Sequence, residues 1–143
     1  MRYNLDRFKT AQPQDYDTAL QEVRSGHKRS HWIWYIFPQI AGLGMSSISE
    51  YYAIQNMDEA KAYLADPLLR SRLLEISSAL LEMKSSDPGD VMGWPDNLKL
   101  RSSMTLFQAA APEEPVFRKV LEKFFRGRPD DRTLAILAKG EKQ

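Results

Sequence analysis

Three stretches of the sequence carry residue types and spacings that could do chemistry. The first is Gly26-His27-Lys28-Arg29-Ser30-His31-Trp32-Ile33-Trp34-Tyr35-Ile36-Phe37-Pro38-Gln39. A basic cluster of Arg24, Lys28 and Arg29, with two histidines, runs straight into a dense aromatic block. Aromatic faces beside cations can hold a planar ring while the cations meet a phosphate. On a helix His31 and Tyr35 are one turn apart and share a face with Trp34. This makes His31 a candidate acid–base group, and Trp32, Trp34, Phe37 and Gln39 candidate ligand contacts. The same aromatics would serve equally as plain core, and Lys28 and Arg29 as solvated charges.

The second stretch, from Ile40 to Ser49, places Gly42 and Gly44 just before an expected helix start. Glycines let backbone amides turn toward a ligand. A tight turn capped by Ser46 or Ser47 is the plainer reading. Neither a Walker loop nor a dinucleotide fingerprint is present. The third stretch runs from Gly93 to Phe107. Lys99, Ser102 and Ser103 fall at i, i+3 and i+4, and together could meet a phosphate or ribose, or simply form the outer face of an amphipathic helix. Asp96 beside Trp94 resembles a carboxylate under an aromatic lid, a second acid–base candidate, and would also suit a helix N-cap.

The elements that must position these residues are helical. Leu5 and Phe8 open one short helix, and Tyr16, Ala19, Leu20 and Val23 form the stripe of another that stops at Gly26. Asp58 can cap a helix bearing Ala60, Tyr63 and Leu64, with Pro67 ending it or starting the next. Leu69, Leu73, Ile76, Leu80 and Met83 recur at helical spacing until Asp87-Pro88-Gly89 breaks them. Leu100, Met104, Phe107 and Ala111 repeat the spacing up to Pro112. Val116, Phe117, Val120, Leu121, Phe124 and Phe125 do so up to Gly127, and Leu134 and Leu137 mark a last short helix. No stretch alternates long enough to pair as strands. The apolar run Trp32–Phe37 reads as a short buried helix with Ser30 as its cap. The expected fold is all-α, a single multihelical domain over 1–143 with seven to nine helices and with 140–143 frayed.

Composition narrows the function classes. The 143 residues carry 20 basic and 19 acidic side chains, a net charge of +1, so no global field draws the chain to duplex nucleic acid or an anionic membrane. The absence of cysteine excludes thiolate chemistry, and two histidines exclude a histidine-rich metal centre. Nothing in the residues calls for a metal or a cofactor. The N-terminal residues lack an apolar signal core, and a cytoplasmic protein is expected.

The order Leu5-x-x-Phe8-x-x-Ala11-Gln12, then Tyr16-x-x-Ala19-Leu20, then Gly26-x-Lys28-x-Ser30-His31-Trp32-x-Trp34-Tyr35-x-Phe37-Pro38-Gln39 resembles an uncharacterised bacterial family of unknown function. Gly42-Leu43-Gly44, Glu59-Ala60-x-x-Tyr63-Leu64 and Asp96-x-x-Lys99-Leu100-x-Ser102-Ser103-Met104-Thr105-Leu106-Phe107 extend the resemblance over nearly the whole chain. It implies a compact helical fold and no settled activity. Members often carry the label calpastatin, which does not suit this chain: calpastatin is disordered, and these stripes are those of a folded domain. A more distant similarity is to the all-α NADAR proteins, linked to ADP-ribose and NAD chemistry, through His31-Trp32 and Asp96, Lys99, Met104 and Leu106-Phe107. Ser30 stands where those proteins have glutamate. The resulting expectation is binding of a small phosphorylated or nucleotide-like ligand of ADP-ribosyl type. Asp96 and His31 would be the acid–base pair for any N-glycosidic cleavage. Trp32, Trp34, Phe37, Gln39, Gly42, Gly44, Trp94, Lys99, Ser102 and Ser103 would contact the ligand. The alternative is a non-enzymatic interaction or regulatory module.

Overall fold

The computed structural model describes residues 3–141. The first helix, α1 (Asp6–Ser25), is one continuous rod where the sequence predicts two pieces. Pro13 lies inside it and removes one backbone donor. Phe8, Gln12, Tyr16, Ala19, Leu20 and Val23 nevertheless form one buried stripe across it. Burial of that stripe outweighs the lost hydrogen bond. Gly26, at φ +87°, ends the helix in the left-handed conformation, and its N–H and that of His27 return to Val23 and Glu22.

The aromatic run forms α2 (Ile33–Ile36), a single turn buried through Ile33, Tyr35 and Ile36. Ser30 does not cap it, because its hydroxyl donates to Glu22 instead. Next comes α3 (Ser47–Tyr52), capped by Ser46, whose hydroxyl accepts from the Ser49 N–H. Between them an isolated parallel bridge joins Ile40 to Ile54, with Ile54 N donating to Gln39 O and Ala41 N to Ile54 O, both at 2.8 Å. This bridge pins the backbone of Gln39.

Helix α4 (Met57–Ala65) is capped by Asn56 rather than Asp58, since Asn56 is the residue whose side-chain oxygen reaches the Glu59 N–H, at 2.9 Å. Asp66 caps α5 (Pro67–Leu81). That helix has no basic residue in its last turn. A neighbouring helix, α8 (Pro115–Phe125), supplies the cation: the Lys123 ammonium donates to the carbonyls of Leu80 and Leu81 at 3.0 Å, and to that of Met83. Asp87-Pro88-Gly89 does more than break α5. It caps and opens a short α6 (Pro88–Met92). The remaining helices are α7 (Asp96–Ala110) and α9 (Asp131–Glu141). Gly140 and Glu141, expected in a frayed tail, belong to the last turn of α9, and residues 142 and 143 lie outside the described residues.

Nine helices thus form one all-α domain among the described residues. α7 is the central rod: it packs on α8, α4, α6, α9 and α2, while α1 covers α5 and α2. Leu69, Leu73, Ile76, Met104, Phe107 and Phe117 are fully buried where these helices meet. No helix among the described residues is long and apolar enough to cross a membrane.

Candidate functional site

Glu22, near the end of α1, organises the loop that leads into the aromatic turn. Its Oε1 accepts from the Arg29 N–H at 2.9 Å, the Ser30 N–H at 3.0 Å and the Trp32 indole N–H at 2.9 Å, and its Oε2 from the Ser30 hydroxyl at 2.7 Å. Burial works against ionisation of this carboxyl, but the converging donors outweigh it and hold its pKa down at about 2. The loop so fixed aims Lys28 inward. Its side chain is only 5% exposed, and its ammonium meets Asp96 Oδ2 at 2.8 Å and sits 4.8 Å from the Trp32 ring centre.

Asp96 opens α7 and takes a second ammonium on its other oxygen, from Lys99 at 3.4 Å. Lys99 in turn lies 5.2 Å from the Trp34 ring centre. A chain of alternating charge and aromatic faces, Trp32–Lys28–Asp96–Lys99–Trp34, therefore ties the aromatic turn to α7. All three stretches marked in the sequence meet at its end.

There two hollows lie side by side with walls in common, the two lobes of one candidate cleft. Gln39 and Gly44 line both lobes. One lobe, of about 180 Å³, is bounded by Trp34, Gly42, Glu50, Tyr52 and Gln55. The other, of about 300 Å³, is bounded by Leu43, Leu98, Lys99, Arg101, Ser102, Asp130 and Arg132. The second lobe thus presents three cations against one carboxylate. Asp130 is held in place: its Oδ2 accepts from the Thr133 N–H at 3.0 Å, the Thr133 hydroxyl and the Ser102 hydroxyl at 3.2 Å. Gly44 is required at the junction, because a Cβ there would lie 2.5 Å from that of Ser49. Gly42 has a φ of +101°, which disfavours any side chain.

The family of proteins of unknown function, DUF1810, matches this chain over residues 2–137. The chain belongs to that family. A crystal structure at 1.38 Å of a conserved hypothetical protein from Mycobacterium tuberculosis is similar to it, with 41% identity and a TM-score of 0.93, covering 95% of this chain and 97% of that one. No curated protein matches the chain.

For this family member the structure sorts the residues singled out by sequence. Trp34, Gln39, Gly42, Gly44, Lys99 and Ser102 line the cleft. Trp32 and Phe37 do not form a wall: both are fully buried, Trp32 over Lys28 and Phe37 against Trp32. Ser103 also faces the core rather than the polar patch. It is one residue, or about 100° of helix, beyond Ser102, and its buried hydroxyl has no hydrogen-bond partner. Trp94 is 80% exposed and is no lid over Asp96, whose oxygens are taken by the two lysines. His31 is exposed before α2, and neither it nor Asp96 lines a lobe. Sequence reading missed Glu22, Glu50, Tyr52, Arg101, Asp130 and Arg132. The only local signal among them is Asp130-x-x-Thr133 at a helix start, a capping pattern that carries no hint of a cleft.

Proposed function

We propose that the cleft binds a small phosphorylated ligand of nucleotide type, ADP-ribosyl compounds included. One observation supports this above the others: an aromatic and amide-lined lobe and a cationic lobe share Gln39 and Gly44 as common walls. A planar ring suits the side of Trp34 and Tyr52, with Glu50, Gln39 and Gln55 available to its polar edge. A phosphate suits Lys99, Arg101, Arg132 and the Ser102 hydroxyl. Cleavage of an N-glycosidic bond here would need a carboxylate inside the cleft. Glu50 and Asp130 meet that condition, whereas Asp96 and His31 lie outside the lining. A second reading, a non-enzymatic interaction module, rests on the exposed Met45, Trp94 and Leu98.

A thermal-shift series with ADP-ribose, AMP and inorganic phosphate tests the first reading. Ligand at about a hundred times its Kd adds about 2.7 kcal/mol to the stability of the native state. Arg132→Ala and Lys99→Ala should remove the shift without lowering the melting point of the free protein. No response to any of the three at millimolar concentration refutes ligand binding and leaves the interaction module. If binding holds, chromatography of a ribosylated substrate with Glu50→Gln and Asp130→Asn variants tests cleavage.

A further inference from the structure

Helix α3 buries none of its residues, yet it carries an apolar stripe. Ile48, Tyr51 and Tyr52 stand at i, i+3 and i+4, so they share one face of the turn. Of that stripe only Tyr52 reaches the core, its ring centre 6.0 Å from that of Phe8, while Ile48 and Tyr51 stay exposed. All three side chains line a separate hollow of about 500 Å³ between α3 and the first half of α1. Tyr35 joins them. The Tyr35 and Tyr52 rings are 5.1 Å apart and inclined at 54°, and the Tyr52 and Tyr51 rings are 4.8 Å apart and nearly perpendicular, at 83°. Three tyrosines thus border one hollow, and the electron-rich face of a tyrosine ring is a group that attracts cations.

The charges around the hollow have the matching sign. Arg7 reaches its lining, but its guanidinium is matched by the buried Glu59 carboxylate at 3.0 Å. Asp6 lines the hollow, is exposed, and makes no ion pair among the described residues. Asp15, outside the lining, accepts the Tyr35 hydroxyl hydrogen bond and fixes that ring from its hydroxyl end. The wall is mixed: Asn4, Thr10 and Gln14 add polar groups on the α1 side, Ile48 and the three tyrosines form the other side, and Asp6 is the one carboxylate, which disfavours an anion.

We propose that this hollow is a binding site for a small alkylated ammonium ion, with Tyr35, Tyr51 and Tyr52 as an aromatic cage and Asp6 as the counter-charge. The site is separate from the cleft, touching it only through Tyr52, and does not depend on the function proposed for it. A free ammonium compound and an alkylated lysine on a protein offer the same chemistry.

The experiment is a titration of the full chain with choline chloride, followed by the ring-proton NMR signals of its tyrosines. The neutral isostere 3,3-dimethylbutan-1-ol is titrated in parallel. Saturable shifts are expected with choline and not with the alcohol. Tyr51 is 56% exposed, so Tyr51→Ala should fold normally while weakening binding about tenfold. Tyr51→Phe keeps the ring face and should stay within about twofold, and Asp6→Asn should weaken binding about threefold. A trimethyllysine peptide that binds more tightly than choline assigns the ion to a protein source; equal or weaker binding assigns it to a free compound. Equal binding of the alcohol, an undiminished affinity in Tyr51→Ala, or no saturable shift up to about 50 mM choline would overturn the proposal.

Discussion

Replacing Glu22 by Gln should destabilise the protein in a way that fades as the pH falls. The carboxylate accepts four hydrogen bonds from Arg29, Ser30 and Trp32. A glutamine keeps one neutral acceptor oxygen for the three N–H donors and meets the Ser30 hydroxyl with an NH2, so the charge-assisted character of all four bonds is lost. Folding lowers the Glu22 pKa from 4.5 to about 2, which corresponds to at most about 3 kcal/mol. The carboxylate is only half-buried, and solvent screening reduces this to about 1–2 kcal/mol. Because the folded pKa is depressed, this stabilisation is complete above pH 4.5 and is lost as the pH falls through the interval down to about 2. Urea unfolding of wild type and Glu22→Gln at pH 7 and at pH 3 measures it, since the other carboxylates cancel in the difference. At pH 7 the gap should be about 1–2 kcal/mol, or about 4–8 °C in melting temperature. At pH 3 about half should remain. A gap that does not change between the two pH values, or no gap at pH 7, would refute the hub assigned to Glu22.

The other predictions concern single contacts. Arg7 and Glu59 form a buried pair with side chains 6% and 1% exposed. Arg7→Met or Glu59→Met alone should cost about 3–5 kcal/mol in denaturant unfolding, and the double variant less than the sum of the two. Gly44→Ala should cost about 1–3 kcal/mol by the same assay and abolish nucleotide-induced thermal shifts, because the added methyl drives into Ser49. Lys99→Ala should change unfolding free energy by less than about 1 kcal/mol, since Lys28 still neutralises Asp96. Lys28→Ala, which leaves Asp96 with its weaker partner alone and removes a buried stem from the Trp32 face, should cost about 2–3 kcal/mol.

Much of the fold was legible because helical stripes are local. Leu69, Leu73, Ile76 and Leu80 recur at the helical period, and they are the buried face of α5. Gly26 and Pro67 mark true ends because each acts on its own backbone: one supplies a positive φ, the other a preset first turn. Two boundaries were misplaced where a contact outside the element overrides its own local signal. Leu5 with Phe8 and Tyr16 to Val23 read as two helices, yet α1 runs through Pro13 as one because its stripe packs along α5 and α2. Ser30 reads as a cap, yet Glu22 claims its hydroxyl.

The candidate site divides in the same way. Residue types and spacing were enough to mark three unusual stretches and to name Trp34, Gln39, Gly42, Gly44, Lys99 and Ser102, all of which line the cleft. The all-α class likewise follows from the sequence, since every apolar stripe repeats at 3.6 residues and none at two. Which aromatic faces the cleft was not readable, because α2 is a single turn flanked by loops and has no periodicity to separate Trp34 from the buried Trp32 and Phe37. Nor could the sequence bring Arg132 and Asp130 beside Lys99, or set Tyr51 and Tyr52 against Tyr35. Those neighbours lie on separate helices and loops. Their proximity is decided by how α7, α9 and α3 pack, through the burial of side chains that themselves take no part in either site.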